Sequence, residues 1–169
     1  MESTPHKNTI NALYILLIIS TVLGFVPNMT AFMFSLALWL LVLIAAYIYR
    51  AKDKEDGLLR NHMTYLIGTI WIGTGFIVLA SIAGGYWIWS QGDSTAFDAF
   101  ATSLESGMVP SEDAMMDTMN DYYMANSALI LKVSLFTIAP AVLYFVYRIG
   151  NGFSRAWKGY RIANPKSWL

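Results

Sequence analysis

The amino-acid sequence predicts an all-α, polytopic membrane protein: four transmembrane helices, both termini cytoplasmic, and a helical acidic segment outside between helices 3 and 4. Three observations predict it. The 169 residues are 56% hydrophobic and 13% charged, against roughly 25% charged in soluble domains. Four apolar runs, 10–26, 31–49, 65–89 and 127–147, approach or exceed the roughly 20 residues that a helix needs to cross a hydrocarbon core. The charges between the runs are sorted by sign. Arg50, Lys52, Lys54 and Arg60 follow the second run, and Arg148, Arg155, Lys158, Arg161 and Lys166 follow the fourth. Segment 90–126 holds no Lys or Arg but carries Asp93, Asp98, Glu105, Glu112, Asp113, Asp117 and Asp121. By the positive-inside rule the basic loops face the cytoplasm. The whole chain, 1–169, reads as one membrane domain.

The first run, 10–26, follows a polar leader containing Glu2, His6 and Lys7. It ends in Gly24-Phe25-Val26-Pro27, which is no small-residue cleavage site, so a retained helix is expected rather than a signal peptide. Pro27-Asn28-Met29-Thr30 is a turn that forces run 31–49 to double back as a helical hairpin. Asn28-Met29-Thr30 also matches the N-glycosylation pattern, which a tight turn at the membrane surface makes a poor acceptor.

The third run, 65–89, is rich in small residues. Thr69, Gly73, Ala80 and Gly84 recur near helical spacing, with Gly68, Gly75, Ser81 and Gly85 beside them. Small residues let helix backbones approach closely in lipid. They mark a partner interface or, the reading preferred here, packing against the chain's own helices.

Segment 90–126 lies outside. Phe97, Phe100, Ala101 and Leu104 share a helical face against Asp98, Ser103 and Glu105, which predicts a short amphipathic helix stopped at Gly107. Ser111 is a good N-cap, with Glu112 and Asp113 in the first turn that follows, so a second helix is expected to lead into the fourth run. Five of the nine methionines, Met108, Met115, Met116, Met119 and Met124, fall here. Thioethers at Met115, Met116 and Met119 suit Cu(I), or serve as adaptable apolar filler at a contact surface. With no His or Cys to reinforce a metal site, contact is preferred.

The fourth run, 127–147, contains Pro140, which deprives the Phe136 carbonyl of its helical donor and predicts a kink. Ser134 and Thr137 are near enough to compensate. Lys132 is the one charge within the run, expected to snorkel outward or pair with Asp121. The tail, 148–169, reads as an interfacial basic segment. In it Phe153, Trp157 and Tyr160 share a face flanked by Arg155, Lys158 and Arg161, which would meet anionic headgroups.

Composition excludes other classes. The absence of Cys rules out disulfides and thiolate metal sites. Zero net charge argues against neutralising several nucleic-acid phosphates. No nucleophile, nucleotide-binding or metalloprotease motif occurs, and the two histidines, His6 and His62, read as solvated or hydrogen-bonded groups rather than ligands. A non-enzymatic protein without a cofactor is expected.

Two stretches, 62–73 (His62-Met63-Thr64-Tyr65-Leu66-Ile67-Gly68-Thr69-Ile70-Trp71-Ile72-Gly73) and Tyr147-Arg148-Ile149 with Gly152, Arg155 and Gly159, resemble a family of small bacterial inner-membrane proteins of unknown function. That family is related to a chloroplast inner-envelope import component and to magnetosome-membrane proteins. The resemblance covers 45–82 and 139–165. It implies a helical bundle of the bacterial inner membrane with accessory or assembly roles, and no catalytic residue to carry over. Gly68 and the long outer segment depart from the family's pattern.

The expected function is therefore that of an accessory subunit or assembly factor, acting through the lipid bilayer and through contacts with other membrane subunits or with itself. Copper(I) handling at the Met-rich segment is one alternative. A small transporter or channel using Lys132 or the Pro140 break is another.

Overall fold

The structure, a computed structural model, describes residues 6–53, 57–107 and 110–168. Glu2 of the leader, Lys54 of the basic loop and Met108 of the outer segment lie outside the described residues. The described chain is all-helical: α1 (Lys7–Gly24), α2 (Met29–Lys52), α3 (Leu58–Gln91), α4 (Thr95–Glu105) and α5 (Glu112–Lys158). All but α4 are long and apolar enough to cross a membrane.

Two compact units are built from these helices. The first, Met1–Gly75 with Val142–Leu169, contains α1, α2, the first half of α3, the last part of α5 and the tail. The second, Phe76–Ala141, contains the rest of α3, α4 and the start of α5.

In the first unit the α1–α2 hairpin forms where the sequence breaks. Pro27 cannot continue a helix, and Asn28 starts the next one, its side chain accepting a hydrogen bond from the Ala31 N–H at 3.1 Å. Reciprocal bonds fasten the two helices: the Ser20 hydroxyl donates to the Ser35 carbonyl at 2.9 Å, and Ser35 returns the bond to the Ser20 carbonyl at 2.8 Å. Gly24 allows this approach, since a Cβ there would stand 3.1 Å from the Ser35 hydroxyl oxygen. The core gathers Ile10, Leu13 and Leu17 of α1, Val42 and Ala46 of α2, Met63, Leu66 and Ile70 of α3, and Phe145 and Ile149 of α5. Burying each such side chain is worth roughly 1.5–3 kcal/mol.

In the second unit Gly84 of α3 meets α5, where an added Cβ would lie 3.1 Å from the Thr137 hydroxyl and 3.4 Å from a Val133 methyl. Helix α4 ends as expected: Gly107 takes φ +80°, a conformation open to glycine at little cost. The Ser111 hydroxyl accepts from the Ala114 N–H at 3.2 Å and caps α5. Large apolar side chains of α3 and α5, among them Ile82, Leu131 and Phe136, are exposed, as a lipid solvent requires.

The helices differ from the predicted runs mainly at the ends. The first begins three residues early and ends at Gly24; the second and third extend to Met29–Lys52 and Leu58–Gln91. The largest correction concerns the tail. Residues 148–158 continue α5 as helix to Lys158, and Gly159 (φ +74°) turns the chain back. Arg148, read as a loop cation, is fully buried. Helix α5 runs unbroken past Pro140. Thr137 donates to the Val133 carbonyl at 2.9 Å, one turn back, so its hydroxyl serves Val133 rather than the freed Phe136 carbonyl. Lys132 is exposed and forms no ion pair with Asp121 among the described residues.

Candidate functional site

The first unit encloses a polar network between α1, α3, α5 and the returning tail. Its centre is Arg148, wholly buried on α5. The guanidinium lies over the Tyr65 ring at 3.8 Å and within 5.8 Å of the Tyr144 ring, so the quadrupole of two aromatic faces takes the place of a carboxylate. Its Nε donates to the Thr69 hydroxyl at 3.2 Å and one Nη donates to the Ser167 carbonyl at 2.6 Å. The other Nη has no hydrogen-bond partner among the described residues. It faces Gly68, where a Cβ would stand 3.6 Å away. Because Arg stays protonated and a buried charge is costly unless its donors are met, these neutral acceptors hold the tail against α5.

His62, also fully buried, is bonded at both ring nitrogens. With its proton on Nε2 it donates to the Tyr160 carbonyl at 2.9 Å, and Nδ1 accepts from the Tyr14 hydroxyl at 3.1 Å. Asn61 makes a two-bond pair with one tail residue: its amide donates to the Ile162 carbonyl at 3.0 Å, and its carbonyl accepts from the Ile162 N–H at 2.7 Å. The Tyr65 hydroxyl donates to the Arg148 carbonyl at 3.2 Å, and Asn151 donates to that hydroxyl at 3.4 Å. Arg155 donates to Asn151 at 3.3 Å and to the Arg161 carbonyl at 3.2 Å. Tail residues 160–167 are thereby fixed at four backbone carbonyls, those of Tyr160, Arg161, Ile162 and Ser167.

The outer segment of the second unit is fastened by a similar device. Asn126 on α5 accepts from the Asp93 N–H at 2.7 Å and donates to the Asp93 carbonyl at 3.0 Å. The Asp93 carboxylate accepts from the Thr95 N–H at 2.9 Å and from the Thr95 hydroxyl, and these bonds hold its pKa below the usual carboxylate value. The Phe97 ring then packs on Tyr122 with centroids 4.7 Å apart.

The residues singled out from the sequence fall into three groups. Of the small-residue set, Thr69 bonds Arg148 and Gly73 faces the Phe145 ring in the first unit, while Ala80 is buried and Gly84 meets Thr137 in the second. Gly75 and Gly85 face open space. In the outer segment Phe100 is half-buried, whereas Phe97, Leu104, Met115, Met116 and Met119 are exposed. No cluster of three His, Cys, Asp or Glu side chains suited to a metal occurs among the described residues. Of the basic set, Arg155 turns inward to the tail, and Lys158 and Arg161 are exposed.

The network itself was missed. Tyr14, Asn61, His62, Tyr65 and Arg148 are separated by up to 134 positions (148 − 14), and no periodicity links them. One local signal existed: His62 and Tyr65 stand one turn apart, with Thr69 one turn further, a polar stripe that an apolar run does not need. Compared with known family models, curated proteins and solved structures, the chain finds no match.

Proposed function

We propose that the chain is a non-enzymatic, multi-pass protein of the bacterial inner membrane, termini cytoplasmic, that acts through protein contacts as an accessory subunit or assembly factor. One observation carries the reading. Met115, Met119 and Tyr123 follow one another at four-residue steps on the first turns of α5, with Met116 beside them, and all four are exposed. This stripe lies ahead of the apolar run 127–147. The 15 residues from Glu112 to Asn126 add about 22 Å of helix at the α-helical rise, beyond what that run needs to span a bilayer. Asp113, Asp117 and Asp121 occupy the other side of the same turns, so burial of this helix in hydrocarbon would carry carboxylates with it. An exposed Met and Tyr stripe rimmed by acids suits an adaptable protein contact of the helix-in-groove kind. The resemblance of 62–73 and 147–159 to accessory membrane proteins supports the same reading.

Photo-crosslinking from positions 116 and 119 in native membranes tests it. A discrete heavier adduct that co-purifies in mild detergent is expected, and a lone monomer would overturn the proposal. Leu at 115, 116 and 119 keeps the apolar stripe and removes the thioethers. Partner retention should survive that change, whereas a Cu(I) function would be lost with it.

A further inference from the structure

A groove of about 810 Å³ opens between the end of α2, the start of α3 and tail residues 161–166. Arg50, Arg60, Arg161 and Lys166 line it, and no carboxylate does so among the described residues. Of its polar uncharged side chains, Asn61 is paired with Ile162 and the Thr64 hydroxyl donates to the Arg60 carbonyl at 2.8 Å, while Asn164 adds an amide to the lining. What the groove offers an occupant is mainly positive charge, from three guanidinium groups and an ammonium; one Arg60 N–H is spent on the Asp53 carbonyl at 3.1 Å, and guanidinium donors match the geometry of phosphate oxygens.

Its surroundings say which phosphate. The Arg50 guanidinium lies 5.7 Å from the centroid of the Tyr47 ring. The Tyr47 hydroxyl accepts from the Trp71 indole N–H at 3.0 Å, joining α2 to α3 by an exposed aromatic pair of the type found at the membrane–water interface. Ile44 and Ile48, one turn before and one residue after Tyr47 on α2, are exposed and add apolar surface beside that pair. A free anion has no use for this surface; acyl chains do.

We propose that the groove holds the phosphate headgroup of an anionic phospholipid, whose acyl chains lie along the exposed apolar surface of α2 beside Tyr47 and Trp71. This site shares only Arg161 with the Arg155, Lys158 and Arg161 face read from the sequence, since Arg155 is committed to the tail and Lys158 does not line the groove. It is also independent of the outer-segment contact proposed above. Basic recesses between membrane helices hold anionic headgroups by the same physics, with each cation near the surface strengthening binding several-fold.

The full chain in neutral-detergent micelles can be titrated with dioleoyl phosphatidylglycerol, dioleoyl phosphatidylcholine or inorganic phosphate, with adducts counted by native mass spectrometry. One phosphatidylglycerol should be retained, and phosphatidylcholine should not. The triple variant R60Q/R161Q/K166Q should bind phosphatidylglycerol on the order of 100-fold more weakly. All three side chains are exposed, so its melting temperature should hold. The charge-keeping R60K/R161K should recover most of the binding. K52Q/K158Q removes two cations outside the groove and should leave it nearly unchanged. Equal loss in both Gln variants would show diffuse attraction and overturn the site. Saturation by inorganic phosphate with no lipid retained would overturn the lipid assignment.

Discussion

Buried groups in the first unit leave little room for change, and its glycines show how little. A Cβ on Gly152 would enter the phenol ring of Tyr14, with ring carbons at 2.7 Å. Tyr14 cannot retreat, because it is fully buried and its hydroxyl is bonded to His62. Gly73 is in the same position against Phe145, whose nearest ring carbons include one at 2.5 Å. Gly150 has nothing within 4 Å. Gly152→Ala and Gly73→Ala should therefore each destabilise the protein by about 1–3 kcal/mol through overpacking. Gly150→Ala should stabilise it by roughly 0.5–1 kcal/mol through helix propensity. Thermal melts of the three variants in one detergent measure the contrast; equal melting temperatures would refute the close packing at Gly73 and Gly152.

At the level of elements, the chain fastens its non-helical stretches with asparagine. Asn61 holds the tail at Ile162 and Asn126 holds the start of the outer segment at Asp93, each through one donated and one accepted backbone bond, and each residue is buried. Asn→Leu at either position leaves a backbone N–H and C=O without their partner, a cost of about 1–3 kcal/mol per buried group that water does not reach. Limited proteolysis should then cut near residue 162 in the Asn61→Leu variant and near residue 93 in the Asn126→Leu variant. Unchanged cleavage in both would show that the pairs do not hold these stretches. Such fasteners were not legible in the sequence, for a physical reason: a single Asn carries no periodic signal, and its partner lies 101 or 33 residues away. What was legible is what repeats or punctuates locally. The apolar runs, the α4 face of Phe97, Phe100 and Leu104, the stop at Gly107 and the Ser111 cap all came from neighbours in sequence. The continuation of α5 through Arg148 did not, because a run with two glycines and two arginines reads as a basic tail until tertiary contacts bury it.

For the molecule as a whole, the neutral total conceals a division by unit. Every described acid from Asp93 to Asp121 lies in the second unit, and apart from Lys132 every described Lys or Arg lies in the first. The proposed topology turns this division into an orientation that labelling can read, because the chain has no cysteine of its own. Ser106→Cys should react with a membrane-impermeant maleimide added to intact spheroplasts, and Lys158→Cys only after permeabilisation. The reverse pattern would invert the assignment. Within the first unit, Arg148 has a further consequence when the chain is followed in the order of its synthesis. The carbonyl of Ser167 that it binds is made 19 residues after it, and the Tyr160 carbonyl that receives His62 is made 98 residues after its donor. All four spanning helices thus exist before the groups that complete their polar interior. Until Ser167 has been made, the Arg148 guanidinium lacks that acceptor. Closure of this interior around the charge therefore follows the synthesis of the helices that surround it.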